Sequence, residues 1–161
     1  MNMTTIWKPS VTVAAIIECD NKFLMVEEVS KNGLKINQPA GHLEPGESLL
    51  QGVIRETLEE SAYEFFPESL VGTYLSRSRS SRTGEEVTYL RFAFTGKLGQ
   101  KFDQPLDTGI VRTLWMSADE IAACPERHRN PLVWHSLQDY LRGQRGSLEL
   151  VNTHDSIWNP V

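Results

Sequence analysis

Apolar and polar positions alternate with a period of two at the start of the chain, the spacing that puts successive side chains on opposite faces of a strand. Val11, Val13 and Ala15 take one parity, Thr12 and Ala14 the other, and the β-branched content favours a strand over residues 11–18. A second strand is expected over 23–28, joined to the first at Asp20-Asn21, a turn-forming pair. A short extended piece over 35–38 ends at Pro39, which biases Gln38 away from helix. The pattern then changes. Residues 49–61 contain no proline and one glycine, Gly52, and predict a helix of about three turns. Ser48 and Gln51 supply an S-x-x-Q capping box at its start.

Beyond the helix, residues 64–68 read as a connector interrupted by Pro67, and 70–77 and 87–98 as strands. Tyr89, Arg91, Ala93 and Thr95 share one side of the second. The polar stretch 77–84 between them reads as a hairpin loop, and residues 99–109 as a second long connection. Residues 112–116 predict a short strand. Ser117-x-x-Glu120 opens a brief helix, and Asn130-Pro131 a longer one to about Leu141. Residues 143–161 are weakly periodic, as in a wrapped tail or a partly disordered one. Strands around a central helix, with helices gathered late, give an α/β chain of α+β type whose mixed sheet is covered on both faces.

The central helix carries the chemistry. On a wheel of about 100° per residue, Leu50, Val53, Ile54, Thr57 and Leu58 share one broad side, and Arg55, Glu56, Glu59 and Glu60 the other. Glu56 lies three residues from Glu59 and four from Glu60, so the carboxylates are neighbours, at roughly 0.2–0.5 kcal/mol of repulsion per pair in an isolated helix. Arg55 can offset Glu59 but not all three. A hard cation held by oxygen ligands removes the conflict, whereas a lone acidic pair is more often a solvated face.

Composition narrows the partners. A length of 161 residues suits one domain with a real core. The formal net charge of −5 disfavours binding by bulk attraction to nucleic acid or anionic lipid, and repels a polyphosphate at long range. Local cations, metal ions or arginines, must therefore do the capturing. Cys19 and Cys124 have no metal or disulfide spacing and suit a reducing compartment. No signal peptide or membrane span is legible, so a cytoplasmic protein with no membrane partner is expected.

The stretch 41–63 resembles the Nudix box, the loop-helix signature of the Nudix hydrolases, G-x5-E-x7-R-E-U-x-E-E-x-G-U with U a bulky apolar residue. Gly41, Glu47, Arg55, Glu56, Glu59 and Glu60 fall on its glycine and charged positions. Thr57, Ala62 and Tyr63 depart from it, and Ala62 replaces the glycine that usually caps the helix, which leaves the helix exit open. Residues 37–44, Leu90-Arg91-Phe92, Pro131-Leu132-Val133 and Gly143-Gln144-Arg145 are similar to a bacterial phosphatase subgroup acting on nucleoside di- and triphosphates and a pyrophosphorylated thiamin precursor.

The resemblance implies a Nudix-like α/β/α sandwich and a Mg²⁺-dependent hydrolase, with Mn²⁺ as a possible substitute, that cleaves diphosphate linkages of small nucleotides. It implies Glu56 and Glu60 as metal ligands, Glu59 next, and the Gly41 carbonyl as a further donor. Arg55 and Glu47 would form a structural ion pair. The general base is a box glutamate or a later loop residue, Asp107 ahead of Asp103, either of which also reads as an ordinary turn aspartate. Arg91, Arg77, Arg79 and Arg82 are candidate phosphate or base contacts, because guanidinium groups grip phosphate bidentately. For the last three a solvated hairpin tip is the alternative. His42 reads either as a phosphate contact or as an ordinary exposed histidine. Phe23, Tyr74, Tyr89 and Trp115 are candidate stacking residues or core. Other specificities, for ADP-ribose or a dinucleoside polyphosphate, stay open, as does a non-catalytic nucleotide- or RNA-binding module. The expected assembly is a monomer or homodimer.

Overall fold

The computed structural model describes residues 6–80 and 83–159. Two sheets form the centre. The first runs β5 (Ala40–His42), β1 (Ser10–Ile16), β7 (Glu86–Lys101), β6 (Tyr63–Arg79), with β1 and β7 parallel and the outer pairs antiparallel. In the second, β3 (Lys22–Ser30) pairs with β2 (Glu18–Cys19), β4 (Gly33–Asn37) and β8 (Ile110–Met116). The architecture is mixed α/β with a mixed sheet. The alternation at the start of the chain sets its layers. Val13, Ala15 and Ile17 pack with Val53 of α1 (Leu49–Ser61), while Ile16 packs on the other side with Ile121 of α2 (Ala118–Ala122) and Leu132, Val133 and Leu137 of α3 (Leu132–Leu141).

The Asp20-Asn21 turn forms as expected, with both residues at positive φ. The first strand does not run unbroken over 11–18. It stops at Ile16, and β2 starts the second sheet. Residues 64–68 are not a connector either. β6 passes straight through Pro67, which lies on the edge strand where a missing N–H is tolerated, and three register shifts absorb the irregularity. Opposite Pro67 stands Gly96, where any Cβ would collide with the Phe66 carbonyl. β6 and β7 also extend past residues 77 and 98, so both connections shorten.

Helix α1 starts with the expected capping box, Ser48 Oγ accepting from Gln51 N–H and Gln51 Oε1 from Ser48 N–H. It ends on Ala62 in the left-handed conformation, φ 61°, despite the missing glycine. The loop after β7 supports that exit: Phe102 N–H donates to Ala62 O, Gln104 Nε2 to Leu58 O and Asp107 N–H to Glu59 O. Residues 143–158 pack back onto the body. Gln144 Nε2 donates to Val71 O, Leu148 and Val151 join the core beneath α1, and Trp158 Nε1 donates to Gln51 Oε1. Among the described residues, no helix is long and apolar enough to cross a membrane.

Candidate active site

The helical wheel misplaces part of α1. Glu56 and Glu60 are buried, together with Gly52, Val53, Thr57 and Ser61, whereas Ile54 is 37% exposed. The helix docks its acidic arc against β5. Glu60 Oε2 accepts the Ala40 N–H at 2.9 Å, and Glu56 lies so close over Gly41 that a Cβ there would overlap its carboxyl group. Gly41 therefore meets a steric requirement.

Arg55 does more than the sequence suggests. Its guanidinium donates to Glu47 at 2.7 and 3.0 Å, to Glu56 at 2.8 Å, to Glu59 at 3.0 Å and to the His42 carbonyl at 3.0 Å. Glu47 also accepts the Glu44 N–H, which closes the loop before the helix. Gly52 has a reason here as well, since a Cβ at this helix-interior position would lie 3.0 Å from Glu47 Oε1. The loop, the helix and three carboxylates hang on one side chain.

Burial dominates the electrostatics. It pushes the Glu60 carboxyl up to about 8; the Ala40 N–H favours the charged form, while Glu56, Glu28 and Asp107 add repulsion. Burial raises Glu56 too, against Arg55. Glu47 is held below the ordinary carboxylate range by Arg55, whose own pKa rises in return. Among the described residues, no three acidic, histidine or cysteine side chains form a ready-made metal cage. The donors still suit Mg²⁺, which keeps waters and substrate oxygens in its shell and needs one or two protein carboxylates. Two buried, mutually repelling carboxylates beside a glycine backbone are such a partial shell.

Both lie on a cleft of ≈ 730 Å³ between the two sheets. It gathers Gly41, His42, Arg55, Glu59, Arg79 and Arg91 as well. Asp107 reaches it through the bond of its N–H to the Glu59 carbonyl, whereas Asp103 is exposed and outside it. Arg77 also falls outside, in a separate groove beside Glu86 at 3.7 Å. Arg82 lies outside the described residues. Of the four aromatic candidates only Tyr89 lines the cleft, its ring 6.2 Å from that of His42. Phe23 and Tyr74 are core, and Trp115 packs edge-on against Tyr63. Arg91 is 4% exposed, set in β7 opposite Thr12. Glu28, Asn37 and Arg129 also line the cleft, and sequence reasoning missed all three. Asn37 opens the 37–44 run that carries the resemblance, though the resemblance assigns it no role, and Glu28 and Arg129 have nothing local to distinguish them from ordinary polar residues near element ends.

The NUDIX domain profile matches residues 7–138. This chain belongs to the Nudix hydrolase family. Phosphatase NudJ of Escherichia coli K12 is 37% identical over 146 residues, 90% of this chain and 92% of the relative. A NUDIX hydrolase from Nitrosomonas europaea is 49% identical, with a TM-score of 0.84 over 92% of this chain and 99% of that one. The NUDIX domain of Shewanella oneidensis NrtR, solved with ADP ribose, shares the fold at 18% identity and a TM-score of 0.66, covering 88% of this chain and 94% of that one. In this Nudix chain the departures from the family signature touch none of the charged positions, and the helix exit at Ala62 keeps its left-handed turn.

Proposed function

We propose that this Nudix hydrolase is a Mg²⁺-dependent phosphatase of NudJ type, with Mn²⁺ as a possible substitute. It cleaves the diphosphate linkage of nucleoside di- and triphosphates and related small diphosphates such as the hydroxymethylpyrimidine diphosphate of thiamin synthesis. The observation that carries the reading is the pair of buried carboxylates, Glu56 and Glu60, pressed against the backbone of Ala40 and Gly41 at the cleft. Buried like charges this close persist where a cation offsets them. Glu56, Glu60 and the Gly41 carbonyl would hold the metal, with Glu59 at the rim. A bound Mg²⁺ supplies neutralisation of the negative charge that grows on the phosphate oxygens.

The chain's own residues do the rest. Arg55 fixes the loop and the helix as one unit, so the donors keep their places. Asp107, which lines the same cleft, would take the proton of the attacking water, ahead of a box glutamate. Arg79 and His42 line the route by which the phosphates enter. A cytoplasmic location belongs to the same reading, supported by Cys19 and Cys124 both being free thiols.

Phosphate release over a panel of nucleotides and small diphosphates, with Mg²⁺ and with EDTA, tests this. We expect turnover only with the metal. Comparing orthophosphate with pyrophosphate tells stepwise removal from single-step cleavage. Metal-independent turnover, or none on any diphosphate, refutes the proposal.

A second test needs no substrate. Glu60 has a folded pKa of about 8, above its ordinary 4.5. Its contribution to stability is complete below about 4.5 and is lost as pH rises through about 8. Mg²⁺ binds the ionised form, so the increase in Tm that it causes should grow from pH 6 to pH 8.5. An increment independent of pH would place the metal elsewhere.

A further inference from the structure

Residues 143–158 lie beyond the part of the chain that the family profile matches, and none of them lines the cleft that holds Glu56 and Glu60. They follow a fixed course nevertheless. Gly146 and Leu70 exchange both backbone hydrogen bonds, at 2.6 and 2.9 Å, which pins the segment to the edge strand β6. Glycine suits that contact, since a Cβ would lie 3.3 Å from the Leu70 carbonyl oxygen. A 3-10 turn at Leu148–Leu150, capped by Ser147, then sets Leu148 and Val151 against the core cluster that includes Val53 of α1. A second such turn at Asp155–Ile157, capped by His154, carries the chain to the start of α1.

There it meets the catalytic loop at two places. Trp158 Nε1 donates at 3.1 Å to Gln51 Oε1, the same oxygen that accepts the Ser48 N–H in the capping box. The Ile157 carbonyl oxygen stands 4.0 Å from the place a Gly46 Cβ would take, so the tail backbone faces the Glu44-Pro45-Gly46 turn. That turn is exposed, and its inner anchor is Glu47, which accepts the Glu44 N–H at 2.7 Å and pairs with Arg55. Glu47 holds the turn from within, and the tail holds it from without.

We propose that residues 143–158 act as a strap on the loop that precedes α1, with Trp158 as a positioning residue for the reaction. Its bond to Gln51 fixes where the 43–48 turn sits and, through Glu47 and Arg55, where Gly41 and Glu56 stand. The strap rests on the diphosphate-hydrolase reading given above and adds a residue that touches neither substrate nor metal. A plain cover for the core is the competing role. Leu148 and Val151 fill that role, whereas Trp158 belongs to neither core cluster and is 44% exposed. A half-exposed ring tied by one hydrogen bond adds little to burial. Its weight falls on local opening of the loop, to which the rate is far more sensitive: a shift of about 1 Å in a reacting group costs about 10²-fold.

The test joins amide hydrogen exchange to steady-state kinetics at saturating Mg²⁺, on the full chain carrying Trp158→Ala or Trp158→Phe. The amides of residues 43–48 should exchange about threefold to tenfold faster in both variants, the worth of one net hydrogen bond. In Trp158→Ala kcat should fall about tenfold while KM changes less than about twofold, the split expected when the reacting groups lose their alignment. A lower Tm with loop exchange and kcat unchanged would make the tail a core cover and overturn the strap. Faster exchange with an unchanged kcat would remove Trp158 from the positioning of the site. Trp158→Phe keeps the ring and drops the N–H, so a Phe variant that behaves like the unaltered chain would overturn the bond to Gln51 as the fastening. Absence of turnover on every diphosphate in the unaltered chain would sink the hydrolase reading instead, and loop exchange would then decide the strap alone.

Discussion

Replacing Glu60 by Gln should lower kcat/KM by at least about 10²-fold and, at pH 8, raise the Tm of the metal-free protein. The two effects have one cause. Glu60 is buried, and its carboxyl is pushed up to about 8 by burial and by Glu56, Glu28 and Asp107. Without a cation the ionised form is thus the disfavoured one, and pH 8 is high enough for it to be populated. Glutamine is neutral at every pH and keeps an oxygen for the Ala40 N–H, so the contact at 2.9 Å survives. It cannot offer a full negative charge to a cation. If Glu60 holds the metal as proposed, its loss would cost about 10²–10³ in rate, by analogy with other electrostatic groups. Steady-state kinetics and calorimetric scans with and without Mg²⁺ check both halves. Full turnover in Glu60→Gln would end the metal assignment, and a Tm that falls would mean that the carboxylate has a counter-ion within the protein.

That prediction depends on a feature the sequence conceals. The six glycine and charged positions of the box are legible as a pattern, and the strand pairs around them follow from alternation. What a helical wheel cannot convey is which arc of α1 faces inward. Polar residues are assigned to solvent because burying a charge is costly. Here the rule fails at Glu56 and Glu60, since Gly41 and the Ala40 N–H make room and a partner for them. Pro67 shows the same kind of failure in the sheet. It reads as a breaker, yet β6 lies on an edge and needs no hydrogen bond on its outer side. By sequence Asp107 reads as a candidate base or as an ordinary turn aspartate, and bonds between its loop and the end of α1, among them its N–H to the Glu59 carbonyl, hold it beside the cleft. Glu28 and Arg129 depend on a contact between a strand and a loop far apart in the chain, which no local pattern encodes.

Arg55→Ala should be the most damaging single change to both stability and rate. The guanidinium is the shared partner of Glu47, Glu56 and Glu59 and holds the His42 carbonyl, so its loss strands three carboxylates and frees the loop from the helix. Removing one partner of a buried ion pair costs about 3–5 kcal/mol, and partial exposure of Arg55 reduces this to about 2–3 kcal/mol here. Displacement of Gly41 and Glu56 by as little as 1 Å would lower the rate by about 10²-fold. Arg55→Lys should recover only part of either loss, because an ammonium is a point charge without the planar fork that reaches Glu47 through two nitrogens. The pH dependence separates charge from packing. Arg55 holds the Glu47 carboxyl below its ordinary value, so that stabilisation is present above about 4.5 and disappears as pH falls through the depressed pKa. The stability gap between Arg55→Ala and the unaltered chain should therefore narrow in urea titrations as pH falls below about 4.5 and through the depressed Glu47 pKa. A gap of constant size would assign the loss to the aliphatic stem and its contacts, and the ionic hub would have to be abandoned.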